Sequence, residues 1–415
     1  MSRTPTTSEI FDDIVICEPV RTPVGRRHGV LADLTAADLA TTVVQGLIDR
    51  TDLGEGDVDD VLLGHCYANS EAPSIGRVAA LNAGLGIETA GLQLDRRCGS
   101  GLQAVMYASL QVAAGVSDVI IAGGAESMSN AEHYVLGLRR GVRTETIEML
   151  DRIGRGRVTA GGDLYPVPGG MLETAENLRR DYDISREEQD LFALRSHQAA
   201  TQAARDGLFD DEIIPVTIPA NGKGAARTIT EDEHIRQDVT LDDLRRLTPI
   251  RQGVDQSATV TAGNACGESD GASACIVTTR TRAEELGLRP YLRPLSWAVA
   301  GVHPSRMGIG PVPATADVLH RLDLTLDQID LIEINEAFAA QVIACLREWK
   351  LTDADYERLN VNGSGISLGH PAGATGGRIL ATVARELERR QGRYALETMC
   401  LGGGQGMSAV FERIC

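Results

Sequence analysis

The stretch Asp95-Arg-Arg-Cys-Gly-Ser-Gly101 stands directly before an apolar helical pattern that begins near Leu102. A second glycine-rich turn, Asn362-Gly-Ser-Gly-Ile-Ser-Leu-Gly-His-Pro-Ala-Gly-Ala-Thr-Gly-Gly377, also leads into a helical pattern, and its His370 follows Cys98 by 272 residues. Two turns of this kind, each carrying one reactive side chain in front of a helix, suggest that one structural unit occurs twice.

Two further pairs of landmarks recur in the same order. Strand-like runs end at Gly64-His65 and at Ile334-Asn335, 270 residues apart, and others lead to Gly123-Gly124 and Gly402-Gly403, 279 residues apart. Because βα units resemble one another, chance similarity between two α/β halves is the alternative. The shared order of three landmarks favours a duplication.

Short β-rich runs alternate with longer helical patterns, which predicts an α/β fold with parallel sheets covered by helices. The predicted strands are Asp13–Cys17, Asp60–Gly64, Asp118–Ala122, Ala274–Thr278, Leu331–Ile334 and Ala395–Cys400. The predicted helices include Ala36–Arg50, Ser100–Ala114, Arg186–Asp206, Pro313–Leu322 and Gly376–Gln391.

The chain has 415 residues, enough for two or three domains. We expect residues 1–129 to form an N-terminal α/β half that is completed by residues 256–282, and residues 283–415 to form the second half. The long insertion between them, residues 130–255, is predicted to be a loop or lid domain that covers the catalytic cleft.

Composition excludes several classes of partner. The formal net charge of −18 repels a polyanion at long range, so a nucleic-acid partner is not expected. An anionic small molecule can still bind where cations and helix N-termini are gathered locally. No apolar run approaches 18 residues, so no membrane span is predicted.

The eight cysteines are scattered without CxxC pairs, a pattern typical of reduced thiols in a cytoplasmic compartment. Residues 1–13 are polar and acidic, unlike a signal or transit peptide. No metal-ligand cluster is visible, and we expect no metal.

Cys98 is the candidate nucleophile. A thiol at a helix N-terminus sits at the positive end of the helix dipole, which favours the thiolate. Lowering a cysteine pKa of about 8.5 by about two units would ionise most of it at pH 7. The alternative is a small buried cysteine with a packing role.

His370 and Cys400 are further candidates. A neutral imidazole at His370 could accept the Cys98 proton or donate to an oxyanion. Cys400 by itself looks like a core cysteine at a strand end, but the following glycines, from Gly402, expose backbone N–H groups that can bind an oxyanion. Asn335, at the end of a predicted strand, would face the cleft.

Together these motifs resemble those of thiolases. The matching segments occur in the family's order and cover essentially the full chain: Pro19–Arg26, Cys98-Gly-Ser-Gly101, Gly123-Gly-Ala-Glu-Ser-Met-Ser129, Thr261-Ala-Gly-Asn264, Asn335-Glu-Ala-Phe338, Gly369-His-Pro371 and Cys400-Leu-Gly-Gly-Gly404.

The resemblance implies a duplicated fold layered α-β-α-β-α and cleavage or formation of the carbon–carbon bond of a 3-oxoacyl-CoA. It implies that Cys98 carries the acyl group, that His370 activates Cys98, and that His370 with a water on Asn335 holds an enolate oxygen. Cys400 would move the proton at C2, and the N–H groups of Cys98 and Gly402 would hold the acyl oxygen.

By the same resemblance, Met171, Ala262, Cys266 and Phe338 line the pantetheine path. The sequence departs from the family at Gly170, where many members have His, at Leu172, where Gly is common, and at Cys266, where Ser is usual. These departures put the preferred acyl-chain length in doubt. Lys223, Arg227 and Arg236 are candidates for the cation that binds the CoA 3′-phosphate.

Coenzyme A and acyl-CoA are implied as substrates, with no permanently bound cofactor, and acetoacetyl-CoA or another short chain is our first expectation. A homo-oligomer, dimer or tetramer, is implied, and we expect the segment near 150–170 to take part in assembly. The alternatives are a ketoacyl-synthase-type condensing enzyme, which would carry His at position 400, and a non-catalytic CoA-binding scaffold, which would lose Cys98, His370 or Cys400.

Overall fold

The structure, a computed structural model, describes residues 7–143, 146–220 and 225–414. The strands in these ranges are β1 (Ile14–Arg21), β2 (Gly25–Arg26), β3 (Asp60–Gly64), β4 (Ala90–Leu94), β5 (Val119–Ser127), β6 (His133–Tyr134), β7 (Leu150–Asp151), β8 (Val216–Ile218), β9 (Arg227–Ile229), β10 (Ser269–Thr279), β11 (Pro290–Gly301), β12 (Leu331–Ile334), β13 (Tyr394–Leu401) and β14 (Gln405–Arg413). The α-helices are α1 (Thr7–Ile10), α2 (Ala36–Thr51), α3 (Ile75–Asn82), α4 (Ser100–Ala113), α5 (Arg152–Thr159), α6 (Gly170–Asp181), α7 (Arg186–Arg205), α8 (Leu241–Arg245), α9 (Arg280–Glu285), α10 (Pro311–Leu322), α11 (Ala339–Trp349), α12 (Gly365–Leu368) and α13 (Thr375–Arg389).

One mixed sheet runs through the molecule in the order β12-β13-β14-β11-β1-β10-β5-β3-β4, with β2 paired to β10. Pairing is parallel only towards the two ends, between β12 and β13 and between β3 and its neighbours β4 and β5. The expectation of parallel sheets is therefore wrong for the middle, where β13 to β5 pair antiparallel. The reason is local at β14: it follows β13 through a three-residue turn, and so short a connection joins only antiparallel neighbours.

Alternating side chains divide each strand between two apolar layers. In β3, Val61 and Leu63 pack into a cluster with α2 and α3, whereas Leu62 faces a cluster that contains α4 and α13. In β13, Met399 faces the same central cluster and Leu396 packs with the outer helices α10 and α11. Helices thus cover both faces of both halves, with α4 and α13 in the middle, which confirms the layered α-β-α-β-α fold.

The predicted elements are present with small shifts at their ends. Strands Asp60–Gly64 and Leu331–Ile334 have the predicted bounds. Helices α2 and α7 begin where predicted because Thr35 and Ser185 form capping boxes with the third helical residue. The strands β11 and β14, which form the centre of the sheet, were not among the predictions.

The segment 130–255 contributes α5 to α8 and two small hairpin sheets, β6-β7 and β8-β9. Its helix α6 packs on α11, and α7 packs on α11 and α12, so the segment covers the outer side of the second half. Over the ranges that the structure describes, every helix is too short or too polar to pass through a bilayer.

Candidate active site

A cavity of about 480 Å³ lies where loops leave the carboxyl ends of four strands. Cys66 follows β3, Cys98 follows β4, Phe338 follows β12 and Gly402 follows β13, and all four line the cavity. The edge where parallel strands end is where α/β folds place their ligands. The sequence predicted this edge from Asn335 alone, and the structure extends it to both halves of the chain.

Cys98 sits at the end of a turn in which Arg97 has a positive φ of 51°, two residues before α4 begins. The backbone N–H groups of Gly402 and of Cys98 itself point at its sulfur, and the guanidinium groups of Arg97 and Arg157 lie nearby. Burial outweighs these favourable contacts, so the pKa of the Cys98 thiol is raised. The predicted thiolate is therefore corrected: the resting side chain is a thiol that needs a base.

His370 is buried at the cavity wall, and its hydrogen bonds define its tautomer. Its Nδ1 lies 2.6 Å from Oγ1 of Thr375, and that hydroxyl donates its own hydrogen to the Pro371 carbonyl at 2.9 Å. Oγ1 must then accept from Nδ1–H, which leaves Nε2 with a lone pair. In the described part of the chain, no group forms a hydrogen bond with this Nε2.

The electrostatic setting keeps His370 neutral. Burial, followed by the positive charges of Arg378 and Arg157, lowers the pKa of His370 to about 3. An imidazole with an unprotonated Nε2 is a proton acceptor, so the cavity contains a thiol and a neutral base, both among its lining residues.

Asn335 is fully buried behind His370, at the end of β12. Its Nδ2 lies 3.5 Å from Nδ1 of His370, a contact rather than a strong hydrogen bond, because Nδ1 already donates to Thr375. Its Oδ1 has no hydrogen-bond partner in the ranges described. A buried amide oxygen without a partner is an acceptor that a small polar group such as a water molecule would satisfy.

Cys400 is also fully buried and packs with Ala265, Met307 and Phe338, three residues of the cavity wall. Burial first, then the Cys98 and Cys266 thiols, raise the pKa of Cys400 well above its ordinary value. These couplings place Cys400 beside the nucleophile, one layer behind the open space.

Seven of the nine predicted site residues line the cavity directly: Cys98, Met171, Ala262, Cys266, Phe338, His370 and Gly402. The other two, Asn335 and Cys400, lie immediately behind them. The structure therefore brings together residues that are up to 304 positions apart in the sequence, from Cys98 to Gly402.

Buried carboxylates position the loops of the site. Glu126 accepts hydrogen bonds from the backbone N–H groups of Cys66 at 3.0 Å, Tyr67 at 3.2 Å and Gly373 at 3.0 Å, and lies 2.9 Å from Nδ1 of His65. Burial raises the pKa of Glu126, but the charge and hydrogen bond of His65 and the backbone donors lower it overall. This carboxylate ties the loop after β3 to the His370 turn.

Glu336, within the Asn335-Glu-Ala-Phe338 motif, does the same for the second glycine-rich turn. Its oxygens accept from Oγ of Ser196 at 2.6 Å, Nδ2 of Asn360 at 2.9 Å and the N–H of Ile366 at 3.2 Å. Glu126 and Glu336 thus each hold a loop of the site in place through hydrogen bonds.

The departures at 170, 172 and 266 all line the cavity, as expected. Gly170 has a φ of +57°, where a side chain is strained, and an added Cβ would lie 3.3 Å from the Cβ of Arg157. The backbone at the start of α6 therefore favours glycine at this position.

Sequence reasoning missed the polar residues of one wall, namely Tyr67, Arg97, Arg157 and Glu268. Arg97 stood in the quoted motif, next to Cys98, and its charge there was the signal that could have found it. Of the proposed phosphate-binding cations, Lys223 lies outside the described residues, and Arg227 and Arg236 are not among the residues that line the cavity.

Comparison with known proteins agrees with the geometry. Residues 14–281 match the model of the thiolase N-terminal domain, and residues 288–413 match that of the thiolase C-terminal domain. The chain is 44% identical over 404 residues to the beta-ketothiolase BktB of Cupriavidus necator, a match that covers 97% of this chain and 99% of that protein.

It is 43% identical over 403 residues to the 3-oxoadipyl-CoA/3-oxo-5,6-dehydrosuberyl-CoA thiolase of Escherichia coli K12, covering 96% of this chain and 99% of the relative. The crystal structure of the Bacillus anthracis acetyl-CoA acetyltransferase superposes with a TM-score of 0.90 at 40% identity and covers 97% of this chain and 99% of that one. The chain belongs to the thiolase family and is an acyltransferase.

Proposed function

We propose that this thiolase cleaves a 3-oxoacyl-CoA with coenzyme A, and runs the reverse Claisen condensation, through an acyl group on Cys98. The observation that carries this proposal is the pairing, in one cavity, of the Cys98 thiol with a neutral imidazole whose Nε2 has no other partner. Coenzyme A and acyl-CoA are the substrates, and no permanently bound cofactor takes part.

In the first step, the sulfur of Cys98 attacks C3 of the 3-oxoacyl-CoA while Nε2 of His370 takes the thiol proton. A proton transfer that accompanies attack suits this pair, because the thiol pKa is raised and the imidazole pKa is about 3, so a preformed ion pair is disfavoured. The N–H groups of Cys98 and Gly402, already aimed at the sulfur, would hold the oxygen as it gains charge.

The bond between C2 and C3 then breaks, and C2 takes a proton from Cys400, so that acetyl-CoA leaves and the shortened acyl chain stays on Cys98. The high pKa of buried Cys400 suits this role, since its thiolate is a strong base in the reverse direction. His370 and a water on Asn335 would hold the enolate oxygen. The proton that His370 took from Cys98 then passes to the Cys400 thiolate, which restores both groups. A coenzyme A thiol finally attacks the acyl carbon and gives its proton to His370, and His370 passes that proton to the departing sulfur of Cys98.

We propose that the enzyme accepts 3-oxoacyl-CoA substrates with a short acyl chain, of which acetoacetyl-CoA is the first candidate. This proposal is supported by the Bacillus neighbour, which is named an acetyl-CoA acetyltransferase. We propose Met171, Ala262, Cys266 and Phe338 as the pantetheine path, because all four line the cavity that contains Cys98 and three of them, Met171, Cys266 and Phe338, pack in one apolar cluster.

We also keep the proposed division into a first half (1–129 with 256–282), a lid (130–255) and a second half (283–415). The lid function is supported by the cavity wall: Gly154, Arg157, Met171 and Ile250 all come from the insertion. These residues would separate the reacting atoms from water.

A homo-oligomer, dimer or tetramer, is supported by a group of exposed apolar side chains. They lie before and within the predicted assembly segment: Leu136, Leu138, Val142, Ile147, Met149, Leu164 and Tyr165. Contiguous exposed apolar residues mark interaction surfaces. Light scattering coupled to gel filtration measures the assembly.

The seven described cysteines are free thiols, which supports a reducing compartment such as the cytoplasm.

Mass spectrometry after incubation with acetyl-CoA tests the function. We expect one acetyl group on Cys98 of the native chain and none on Cys98→Ala, which should also lose turnover. The control is Cys275→Ala, which removes a buried thiol that does not border the cavity and should keep both the label and the activity. A native chain that takes up no acetyl group would contradict the proposal.

A further inference from the structure

One wall of the cavity carries two guanidinium groups beside the nucleophile. The stem of Arg97 packs along Gly402, where an added Cβ would lie 3.7 Å from Cγ of the arginine, and its guanidinium carbon lies 5.8 Å from the centre of the Tyr67 ring. Arg157 lines the same wall. Neither group is used by the reaction steps above, and both side chains are half-buried, 28% exposed for Arg97 and 35% for Arg157, so part of each group faces the cavity.

The charges around these groups do not cancel. Arg157 lies 2.6 Å from Glu268, but Glu268 also pairs with Arg27 at 2.6 Å. Arg97 has one distant carboxylate neighbour, Asp95, at 3.8 Å and on the solvent side. Of these residues, Arg97, Arg157 and Glu268 line the cavity, so two positive charges face one negative charge there.

Arg97 also has unused hydrogen-bond donors. Its Nη1 lies 3.4 Å from the carbonyl oxygen of Cys66, while no described residue accepts a hydrogen bond from its Nη2 or Nε. Gly156 faces Nη2 without a side chain: an added Cβ there would be in van der Waals contact with Nη2 at 3.7 Å and with Tyr67 at 3.5 Å, so the absence of that carbon leaves Nη2 reachable from the cavity. A planar anion that enters this space can be bound by two parallel N–H groups.

Distance identifies which part of the substrate reaches this point. Cys66 touches the Arg97 carbonyl through its sulfur at 3.1 Å and the Arg97 guanidinium through its own carbonyl, so the side chain folds back over the Cys98 turn. The guanidinium thus stays within roughly 10 Å of Cys98. The pantetheine arm, about as long as four extended residues, carries the CoA diphosphate roughly 14 Å away.

A carboxylate on the acyl chain has the right reach. Three to five bonds beyond C3, it lies about 4–6 Å from the acyl carbon on Cys98, and a hydrogen bond adds about 3 Å. We propose, on the basis of the function proposed above, that the cavity selects 3-oxoacyl-CoA substrates whose acyl chain ends in a carboxylate, with Arg97 as the residue that binds it. Arg157 adds to the positive field of the wall.

Matched substrate pairs test this proposal on the native enzyme. Thiolysis is measured with 3-oxoadipyl-CoA against 3-oxohexanoyl-CoA, and with 3-oxosuberyl-CoA against 3-oxooctanoyl-CoA, which differ only in the terminal group. We expect kcat/KM to be at least about tenfold higher for one or both diacids, because a carboxylate forms charge-assisted hydrogen bonds with the Arg97 guanidinium that a neutral chain cannot form. Equal or lower kcat/KM for both diacids would overturn the proposal.

The variant Arg97→Gln should remove that preference: the ratio of kcat/KM for the diacid to kcat/KM for the neutral chain should fall about tenfold or more, whatever the change in kcat/KM for the neutral chain itself. Arg97→Lys keeps the charge and should retain part of the preference. The control is Arg227→Gln, an exposed arginine that does not line the cavity and should leave the ratio unchanged. A native enzyme that cleaves neither chain type and forms no acyl-Cys98 counts against the proposed function, whereas cleavage without preference counts against this inference alone.

Discussion

The Thr375 hydroxyl lies 2.6 Å from Nδ1 of His370 while it donates to the Pro371 carbonyl, so this one side chain determines which nitrogen of the imidazole is the base. The chain achieves this within six residues, since Thr375 is the first residue of α13 and His370 lies in the turn before it. The free Nε2 is thus a consequence of how a glycine-rich turn enters a helix.

Replacing Thr375 with Val should reduce the rate of Cys98 acylation about tenfold, because the imidazole loses the acceptor that holds its proton on Nδ1. Single-turnover labelling by acetyl-CoA, followed by mass spectrometry, measures the rate. Thr375→Ser keeps the hydroxyl and should acylate at nearly the native rate. If Cys98 is acylated at the same rate in the Thr375→Val and Thr375→Ser variants, the Thr375 hydroxyl does not determine the tautomer of His370.

The variant Cys400→Ala should retain one half-reaction, the acylation of Cys98, and lose the other, the condensation. Acyl transfer from acetyl-CoA to Cys98 needs only Cys98, His370 and the oxyanion donors, so labelling should continue. Condensation to acetoacetyl-CoA should fall at least about a thousandfold, because the residue that exchanges the C2 proton is missing. Equal loss of both half-reactions would show that Cys400 has another role.

Adding a side chain at Gly156 should shorten the accepted acyl chain. Gly156→Val places methyl groups in the space between Tyr67 and Arg97, which an added Cβ already reaches at 3.5 and 3.7 Å. We expect turnover of acetoacetyl-CoA within about threefold of native and a loss of about tenfold or more for six-carbon substrates. An equal loss of turnover for all chain lengths would mean that the acyl chain does not occupy the space between Tyr67 and Arg97.

The buried histidines should make folding stability fall in acid. Burial lowers the pKa of His197 and His234 to about 4 and that of His370 to about 3. The unfolded chain, with histidine pKa values of about 6.5, then binds more protons than the folded chain below that pH, so the free energy of unfolding decreases from about pH 6.5 towards pH 4. Urea titration at fixed protein concentration measures this slope.

In the same urea titration, the double variant His197→Gln, His234→Gln should show a smaller dependence of the unfolding free energy on pH. The reduction corresponds to up to about two fewer protons taken up on unfolding. His320→Gln, at an exposed position near the end of α10, is the control for a histidine-to-glutamine change outside the core. An unchanged slope in the double variant would show that these two side chains are not held neutral.

Glu397 and Glu333 are paired residues of adjacent strands, fully buried, and none of their four carboxyl oxygens has a hydrogen-bond partner in the described ranges. Burial raises the pKa of both well above the ordinary value, despite the attraction of Arg378. For a raised carboxyl pKa, stability is full at low pH and decreases as pH rises through the folded pKa.

Glu397→Gln should therefore raise the melting temperature at pH 8–9 by a few degrees and have a smaller effect at pH 5, since it removes a proton that the folded state must retain. Scanning calorimetry at the two pH values measures the difference. Glu357→Gln, at an exposed site, is the control. A lower melting temperature at both pH values would indicate that Glu397 is ionised and paired.

The sequence predicted the elements that local patterns determine. Strands Asp60–Gly64 and Leu331–Ile334 and the starts of α2, α4 and α7 were predicted to the residue, because apolar alternation and capping act within a few positions. It did not predict β11 and β14, or the antiparallel centre of the sheet, since pairing partners are set by contacts between distant segments.

By itself, the sequence determined the family, the two glycine-rich turns and the identity of the reactive groups, because these depend on residue type and local order. Only the tertiary structure decided the protonation states of Cys98 and His370 and the set of side chains that line the cavity. The Cys98 pKa follows from burial as well as from its helix, and Arg97 and Arg157, 60 positions apart, meet in one wall only after the insertion folds over the nucleophile. Desolvation and charge proximity are properties of packing, which local sequence patterns do not encode.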